Sequence, residues 1–178
     1  MTSQKRIRRF DREKTIEVVK YIAQHAPNPD IYWINKILYF ADKLHLQKYG
    51  RLICGDDYVA MKHGPVPSGT YNLLREARDF NAIPELHPAP DEFEIEGQNK
   101  VVALKAPNMD FFSESDIECM KESIRKYGDY TFGKLKAASH DAAYNAADEN
   151  DFIDIEKIVA TLPNAKAVLE QIRDCAHA

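Results

Sequence analysis

The residues that could do chemistry crowd into one stretch, YVAMKHGPVPSGTYNLL, from Tyr58 to Leu74. His63 and Ser68 lie close enough in sequence to raise nucleophilic catalysis. The G-x-S-x-G pattern that exposes a serine on a strained turn is absent, however. Ser68 beside Pro67 is better explained as helix-start chemistry. Asp56 and Asp57 raise acid/base catalysis. Neighbours on an extended piece point to opposite faces, so the two cannot share a proton, and one serves the turn. Phosphate binding fares no better. G-x-x-x-x-G-K-[ST] and G-x-G-x-x-G are both missing, and Pro65 and Pro67 remove two backbone donors where a phosphate cradle needs them.

Metal binding would draw on His25, His45, His63, His87, His140 and His177. None forms H-x-x-x-H or H-E-x-x-H, and none sits beside a cysteine pair. A folded cluster such as His45 with His63 is the metal alternative, against hydrogen-bonded or half-buried histidines. We therefore expect no catalytic residue, no metal and no cofactor. Nucleic-acid binding rests on the basic run KRIRR at Lys5–Arg9, which can add salt-dependent phosphate affinity or be a solvated terminus. Protein binding needs no catalytic motif. Tyr49, Tyr58 and Tyr71 stand beside Gly or Pro turns, where they serve either an interface or the edge of the core.

The elements that must position these groups follow from pattern. The chain has 178 residues, of which 44% are hydrophobic and 10% aromatic, enough for one folded domain. The net charge of -4 argues against a surface built wholly for nucleic acid. No apolar run approaches the ~20 residues of a membrane span, and no apolar segment follows the basic N-terminus as in a secretory signal, so the expected compartment is the cytoplasm. Cys54, Cys119 and Cys175 are widely spaced and read as reduced thiols.

Residues 1–10 read as a loose basic arm and 11–178 as a single domain. A helix is expected from about Asp11, carrying Ile16, Val19, Ile22 and Ala23 and ending at Ala26-Pro27. The next helix is capped by Asp30 and ended by Gly50. It is apolar on two adjoining stripes, Ile31/Ile34/Leu38/Ala41 and Trp33/Ile37/Phe40/Leu44, so it lies deep in the core. Its narrow polar stripe is Asn35, Tyr39 and Asp42. Short extended pieces are expected on both sides of a Gly55-Asp56-Asp57 turn, then HGPVPSG as a tight turn, then a helix through Tyr71, Leu74 and Ala77 to about Phe80. The 81–107 segment reads as an insertion: a loop, then a hairpin alternating at Phe93/Ile95 and Val102/Leu104. Four further helices are expected. The first is capped at Ser113 or Ser115, the second runs from Thr131 through Leu135, the third runs from Asp154 to before Pro163, and Asn164 caps the last. The fold class is mainly α (α+β): a multi-helix domain around a buried central helix, with a small antiparallel sheet or hairpin.

INKILYFADKLHLQKYGRLICGDDYVAMKHGPVPSGTYNLL resembles the signature of the SocA-like antitoxin family, the Panacea domain. The matching positions include Lys36, Leu38, Tyr39, Ala41, Asp42, His45, Tyr49, Gly50, Arg51, Gly55, Asp56, Tyr58, Gly64, Pro65, Val66, Pro67 and Tyr71. A second echo is Leu135, Ser139 and His140, where Tyr144 stands in the place of a common tryptophan. Residues 1–15 and 81–110 are not covered. The resemblance implies a non-enzymatic, cytoplasmic antitoxin of a bacterial or phage toxin–antitoxin pair. Its partner would be a toxin encoded next door, in some cases a translation-blocking enzyme. The founding type is an adaptor that hands its toxin to a protease. A nucleic-acid-binding regulator using the Lys5–Arg12 arm is a further alternative. The resemblance also implies that HGPVPSG is a stiff connector framing a surface, with Tyr39, Asp42, Tyr49, Tyr58, His63, Gly64, Pro65, Tyr71 and His140 as partner-binding residues or as a central polar network. The toxin could instead grip the 81–107 hairpin, the basic arm or the acidic loop at 148–156.

Overall fold

The structure, a computed structural model, describes residues 9–177 and, in the last helix, side chains as far as residue 174. Most of the basic arm, including Lys5, Arg6 and Arg8, lies outside the described residues, as does the side chain of Cys175. In chain order the elements are α1 (Arg12–His25), α2 (Ile31–Tyr49), β1 (Tyr58–Met61), β2 (Gly64–Pro67), α3 (Ser68–Asp79), β3 (Phe93–Glu96), β4 (Lys100–Ala103), a 3-10 turn (Met109–Phe111), α4 (Glu114–Tyr127), α5 (Phe132–Ser139), α6 (Ala142–Asn145), α7 (Ile155–Ala160) and α8 (Ala165–His177). The fold is mainly α, with two small antiparallel sheets of two strands each.

Local chemistry sets the helix ends. Asp11 accepts from the Lys14 N–H at 3.0 Å and Asp30 from the Tyr32 N–H at 2.8 Å, so each satisfies a donor that the first turn leaves open. Ser113, rather than Ser115, caps α4 in a reciprocal box with Asp116. Thr131 caps α5, which runs to Ser139, and Asp154 caps α7. Gly50 ends α2 at φ +70°, the left-handed position that suits glycine.

The 19-residue α2 is the axis of the molecule. Every residue from 34 to 42 is buried, including the polar stripe Asn35, Tyr39 and Asp42. Two apolar clusters meet on it. Ile31, Ile34, Ile37, Leu38 and Ala41 join the cluster built with α1, α3, α4 and the β3–β4 hairpin. Tyr39, Phe40 and Leu46 join the cluster built with β1 and α5 to α8. Over that stretch the helix has no solvent face, so its polar residues must find partners inside.

The HGPVPSG joint is not a tight turn. Gly64–Pro67 forms strand β2, paired with β1 in the register Met61↔Gly64, Ala60↔Pro65, Val59↔Val66 and Tyr58↔Pro67, so the turn shrinks to Lys62-His63. The prolines permit this because they alternate. Ser68 N–H donates to the Asp57 carbonyl at 2.8 Å, which makes 57/68 a bonded pair. Antiparallel pairs alternate between bonded and non-bonded, so Pro65 and Pro67 both fall at positions that need no N–H toward β1. The other edge of β1 takes the 150–153 segment: Ala60 N–H donates to Asp151 O, and Ile153 N–H to Tyr58 O, at 2.9 and 2.8 Å. Before Gly55 no strand forms. Residues 51–57 are irregular, their backbone held by side chains.

In the second hairpin Phe93 pairs with Ala103 and Ile95 with Val101. The buried set is Phe93, Ile95 and Val101, whereas Leu104 is 47% exposed. The expected alternation at Val102/Leu104 is thus one residue out of step, and a one-residue slip turns every side chain to the other face. The 81–107 segment contributes Ala89, Phe93, Ile95 and Val101 to the cluster around α2. Lys20 of α1 pins it by bonding Glu17 and Glu92 at 3.1 and 2.6 Å.

Candidate binding cleft and its polar floor

The polar stripe of α2 reaches the β1–β2 hairpin and the segment before it. Asp42 Oδ1 accepts from the Ile53 N–H at 2.7 Å, and Oδ2 from the Tyr58 hydroxyl at 2.6 Å. Burial pushes the Asp42 carboxyl up to about 6, although these two bonds pull the other way. The same burial, with Asp42 alongside, drives the Tyr58 phenol well above its ordinary value. One turn back, the Tyr39 hydroxyl donates to Asp141 Oδ2 at 2.7 Å, and its ring centre lies 5.1 Å from that of Tyr58. Burial and Asp141 together raise the Tyr39 phenol. Asp141 also pairs with Lys43 at 2.8 Å, while its Oδ1 caps α6 through the Ala143 and Tyr144 N–H groups.

Asp56 completes the inner shell. It accepts from the Gly69 N–H, the Thr70 N–H and the Thr70 hydroxyl, each at 2.8 Å. It is therefore the N-cap of α3 supplied from outside the helix, since Pro67 has no capping side chain. Asp57 does not share this role. Asp56 Oδ1 also accepts from the Asp57 N–H at 2.9 Å, so both of its oxygens are engaged by the fold.

Lys36 is the group that the α2 pattern conceals. It sits inside the apolar run and is fully buried. Its Nζ donates to the Pro65 carbonyl at 2.7 Å and lies 5.0 Å from the centre of the Tyr32 ring. Burial pulls the amine down to about 7. Gly64 makes room for it. Its φ is +111°, and a Cβ there would come within 2.6 Å of Ser139 Oγ and 3.1 Å of Lys36 Nζ. Pro65 thus matters for its carbonyl as well as its ring.

Above Lys36 opens a cleft of about 450 Å³ between the start of α2, the β1–β2 hairpin and α5. Tyr32, Trp33, His63, Val66, Tyr71 and Phe132 form much of its wall, with Lys62 and Arg78 at its edges. The His63 ring meets Phe132 edge-on at 5.4 Å, and the His63 carbonyl accepts from the Tyr32 hydroxyl at 3.2 Å. Partial burial and the nearby Lys136, Lys62 and Lys36 charges lower the His63 imidazole.

The nine residues singled out from sequence therefore divide. Tyr39, Asp42 and Tyr58 form one buried network. Gly64 and Pro65 form its contact with Lys36. His63 and Tyr71 line the cleft. His140 ends α5, stacked on Tyr144 at 4.2 Å, with its imidazole lowered by burial and by Lys136 and Lys36. Tyr49 stands apart at the far end of α2, 40% exposed, donating to Glu118 at 2.5 Å. His45 does not meet His63. Its Nδ1 donates to the Arg51 carbonyl at 2.9 Å, and its Nε2 lies 3.0 Å from Ser115 Oγ and 3.3 Å from Asp116. Among the described residues no group of three His, Cys, Asp or Glu side chains is arranged to hold a metal ion. Tyr32, Arg78, Phe132 and Asp141 escaped notice in the sequence. Lys36 alone carried a signal, as a charge set among apolar residues on a helix with almost no polar face.

The family model described as "Antitoxin SocA-like, Panacea domain" matches residues 34–144, well over half of the chain. The chain belongs to the SocA-like antitoxin family. No curated protein and no solved structure matches it. The Panacea match opens at Ile34 on α2 and closes at Tyr144, whose hydroxyl donates to the Met61 carbonyl at 2.8 Å. The closing end thus sits at the β1–β2 hairpin, and the whole inner network lies within the matched residues. Membership carries a general antitoxin role and, with it, a toxin as partner. Among the described residues no helix is long and apolar enough to cross a membrane.

Proposed function

We propose that this protein neutralises one cognate toxin by binding it directly, acting in the cytoplasm and without catalysis of its own. The observation that carries this reading is the Panacea match across 34–144, which covers the inner polar network and most of the cleft lining, though not Asp30 to Trp33. The disposition of the buried Asp and Tyr groups fits a non-enzymatic role, although Lys36 and His63 do line the cleft. Asp42 and Asp56 hold hydrogen bonds inside the fold on both carboxylate oxygens, and Tyr39 and Tyr58 each donate to a carboxylate. Perturbed groups at catalytic sites face a substrate, whereas these face one another.

The toxin is sought first in the reading frame beside this one. Induced alone it should arrest growth, and with this protein growth should resume. Co-purification of the pair at a fixed ratio would establish direct binding. A harmless neighbour, or arrest that this protein does not relieve, would overturn the proposal. A toxin that disappears from cells only while a protease is active would point to the adaptor mode instead.

A further inference from the structure

The cleft above Lys36 has a chemistry of its own. Its wall offers large flat surface: Phe132 is 42% exposed, and Tyr32 and Tyr71 are half-buried. Its volume, about 450 Å³, suits one or two seated side chains rather than a whole helix. Its charge runs against that of the molecule. The protein carries a net -4, yet this cleft is lined by Lys36, Lys62 and Arg78, with Asp30 its one acid among the described residues. The Asp30 carboxylate is occupied as the cap of α2. Lys62 forms no ion pair among the described residues, and the Lys136 charge bears on the same corner.

Two adjacent residues of the floor also have unmet demands. Lys36 is a buried amine with one acceptor, the Pro65 carbonyl, and no carboxylate within ion-pair distance among the described residues. The Asn35 side-chain oxygen is buried without a donor, in a residue at 3% exposure, and so calls for an N–H such as a peptide backbone supplies rather than for an anion. A buried cation without a counter-charge is unfavourable, and an anion brought near it in a low-dielectric cleft interacts more strongly than it would in water. Burial holds the Lys36 amine near neutrality, so an arriving carboxylate would also draw a proton onto it.

We propose that this cleft is the docking site for an acidic segment of the partner protein, which seats one aromatic or aliphatic side chain among Tyr32, Tyr71 and Phe132 and sets a neighbouring carboxylate beside Lys62 and above Lys36. The identity of that partner as a toxin rests on the antitoxin reading; the chemistry of the cleft does not.

The test uses two acetylated peptide amides, Glu-Asp-Phe-Asp-Glu and its uncharged twin Gln-Asn-Phe-Asn-Gln, added to the full-length protein with its lysine ε-carbons labelled for NMR. The acidic peptide should shift the Lys62 and Lys36 signals saturably and raise the Lys36 titration midpoint by about half a pH unit or more. The twin should do neither. Lys62→Glu, an exposed change that leaves the fold alone, should weaken binding at least fivefold. Silence from the acidic peptide, equal shifts from both peptides, or shifts confined to lysines away from the cleft would overturn the proposal. So would an equal response to oligothymidylate, which would make the site one for phosphodiesters. The toxin reading is judged separately. If the neighbouring frame encodes a toxin and both Lys62→Glu and Phe132→Asp neutralise it as wild type does, the cleft proposal falls while the antitoxin stands. If that neighbour is harmless but the acidic peptide binds, the cleft stands and its partner is another acidic protein.

Discussion

Tyr58 donates its hydroxyl to Asp42 Oδ2 at 2.6 Å, with both side chains at 2% exposure or less. The bond joins β1 to the middle of α2, and the other Asp42 oxygen holds the irregular segment at Ile53. One carboxylate thus fixes strand β1 and the irregular segment before it against α2. Removing the side chain would leave a buried hydroxyl and a buried N–H without acceptors. Asp42→Ala should therefore destabilise the protein by about 3 kcal/mol or more, and Tyr58→Phe by about 2 kcal/mol. Chemical denaturation measures both. A Tyr58→Phe protein as stable as wild type would show that the bond adds nothing net.

Asp42 also makes a pH signature. Its folded value, about 6, lies above the ordinary unfolded value of ~3.9, so the folded state holds the proton more tightly. Its contribution to stability is full below about pH 4 and is lost as pH rises through about 6. The stability difference between wild type and Asp42→Asn should change across that window and be flat above it. A difference independent of pH would place the Asp42 titration elsewhere.

Asp116 acts with the opposite sign. Burial alone would raise it, but bonds from His45, Lys14 and the Ser113 N–H outweigh burial and hold it well below the usual carboxylate range. Its contribution is present above the unfolded value near 4 and lost as pH falls through its own lower value. Asp116→Asn should flatten the acid limb of the stability curve while removing the 2.6 Å pair with Lys14. Thermal melts from pH 2 to 5 would read this directly.

Lys36 titrates on the alkaline side. Its amine is held near 7 in the fold and stands near 10.4 when unfolded, so the unfolded chain binds the proton more tightly. Stability should rise with pH between about 7 and 10, by at most roughly 5 kcal/mol in the limit of complete burial. Lys36→Met, which keeps the length and removes the charge, should abolish that rise. A Lys36→Met protein with the wild-type slope would assign it to other groups.

Gly64 and Gly97 separate backbone strain from crowding. Both have positive φ, +111° and +60°. A Cβ on Gly97 meets nothing within 4 Å, while one on Gly64 comes within 2.6 Å of Ser139 Oγ. Gly97→Ala should destabilise by about 1 kcal/mol, the left-handed backbone term alone. Gly64→Ala should exceed it by about 1 kcal/mol or more, because +111° is harder for an L residue than +60° and because Ser139 and Lys36 are buried and must move. Equal effects would mean that the corner yields freely.

What could be read along the chain was what is decided within a turn or two of it. Asp11, Asp30, Ser113, Thr131 and Asp154 cap their helices through bonds to residues two or three positions on, so neighbours in sequence suffice to place them. Burial of α2 followed from apolar residues around most of its circumference, and membership of the SocA-like family from the ordered run that begins there. The rest depends on long reach. Two prolines looked like a turn until β1 was laid beside them and their missing N–H groups fell at positions that need none. Asp56 caps a helix that begins twelve residues later, and Lys36 meets its acceptor 29 residues on. The phase of β4 was set by the core it covers, since alternation is equally good in either register until one face is buried. Packing alone brought the start of α2, the hairpin and α5 around one cleft. Periodicity records which side of an element is apolar, and only the packed molecule shows what stands against that side.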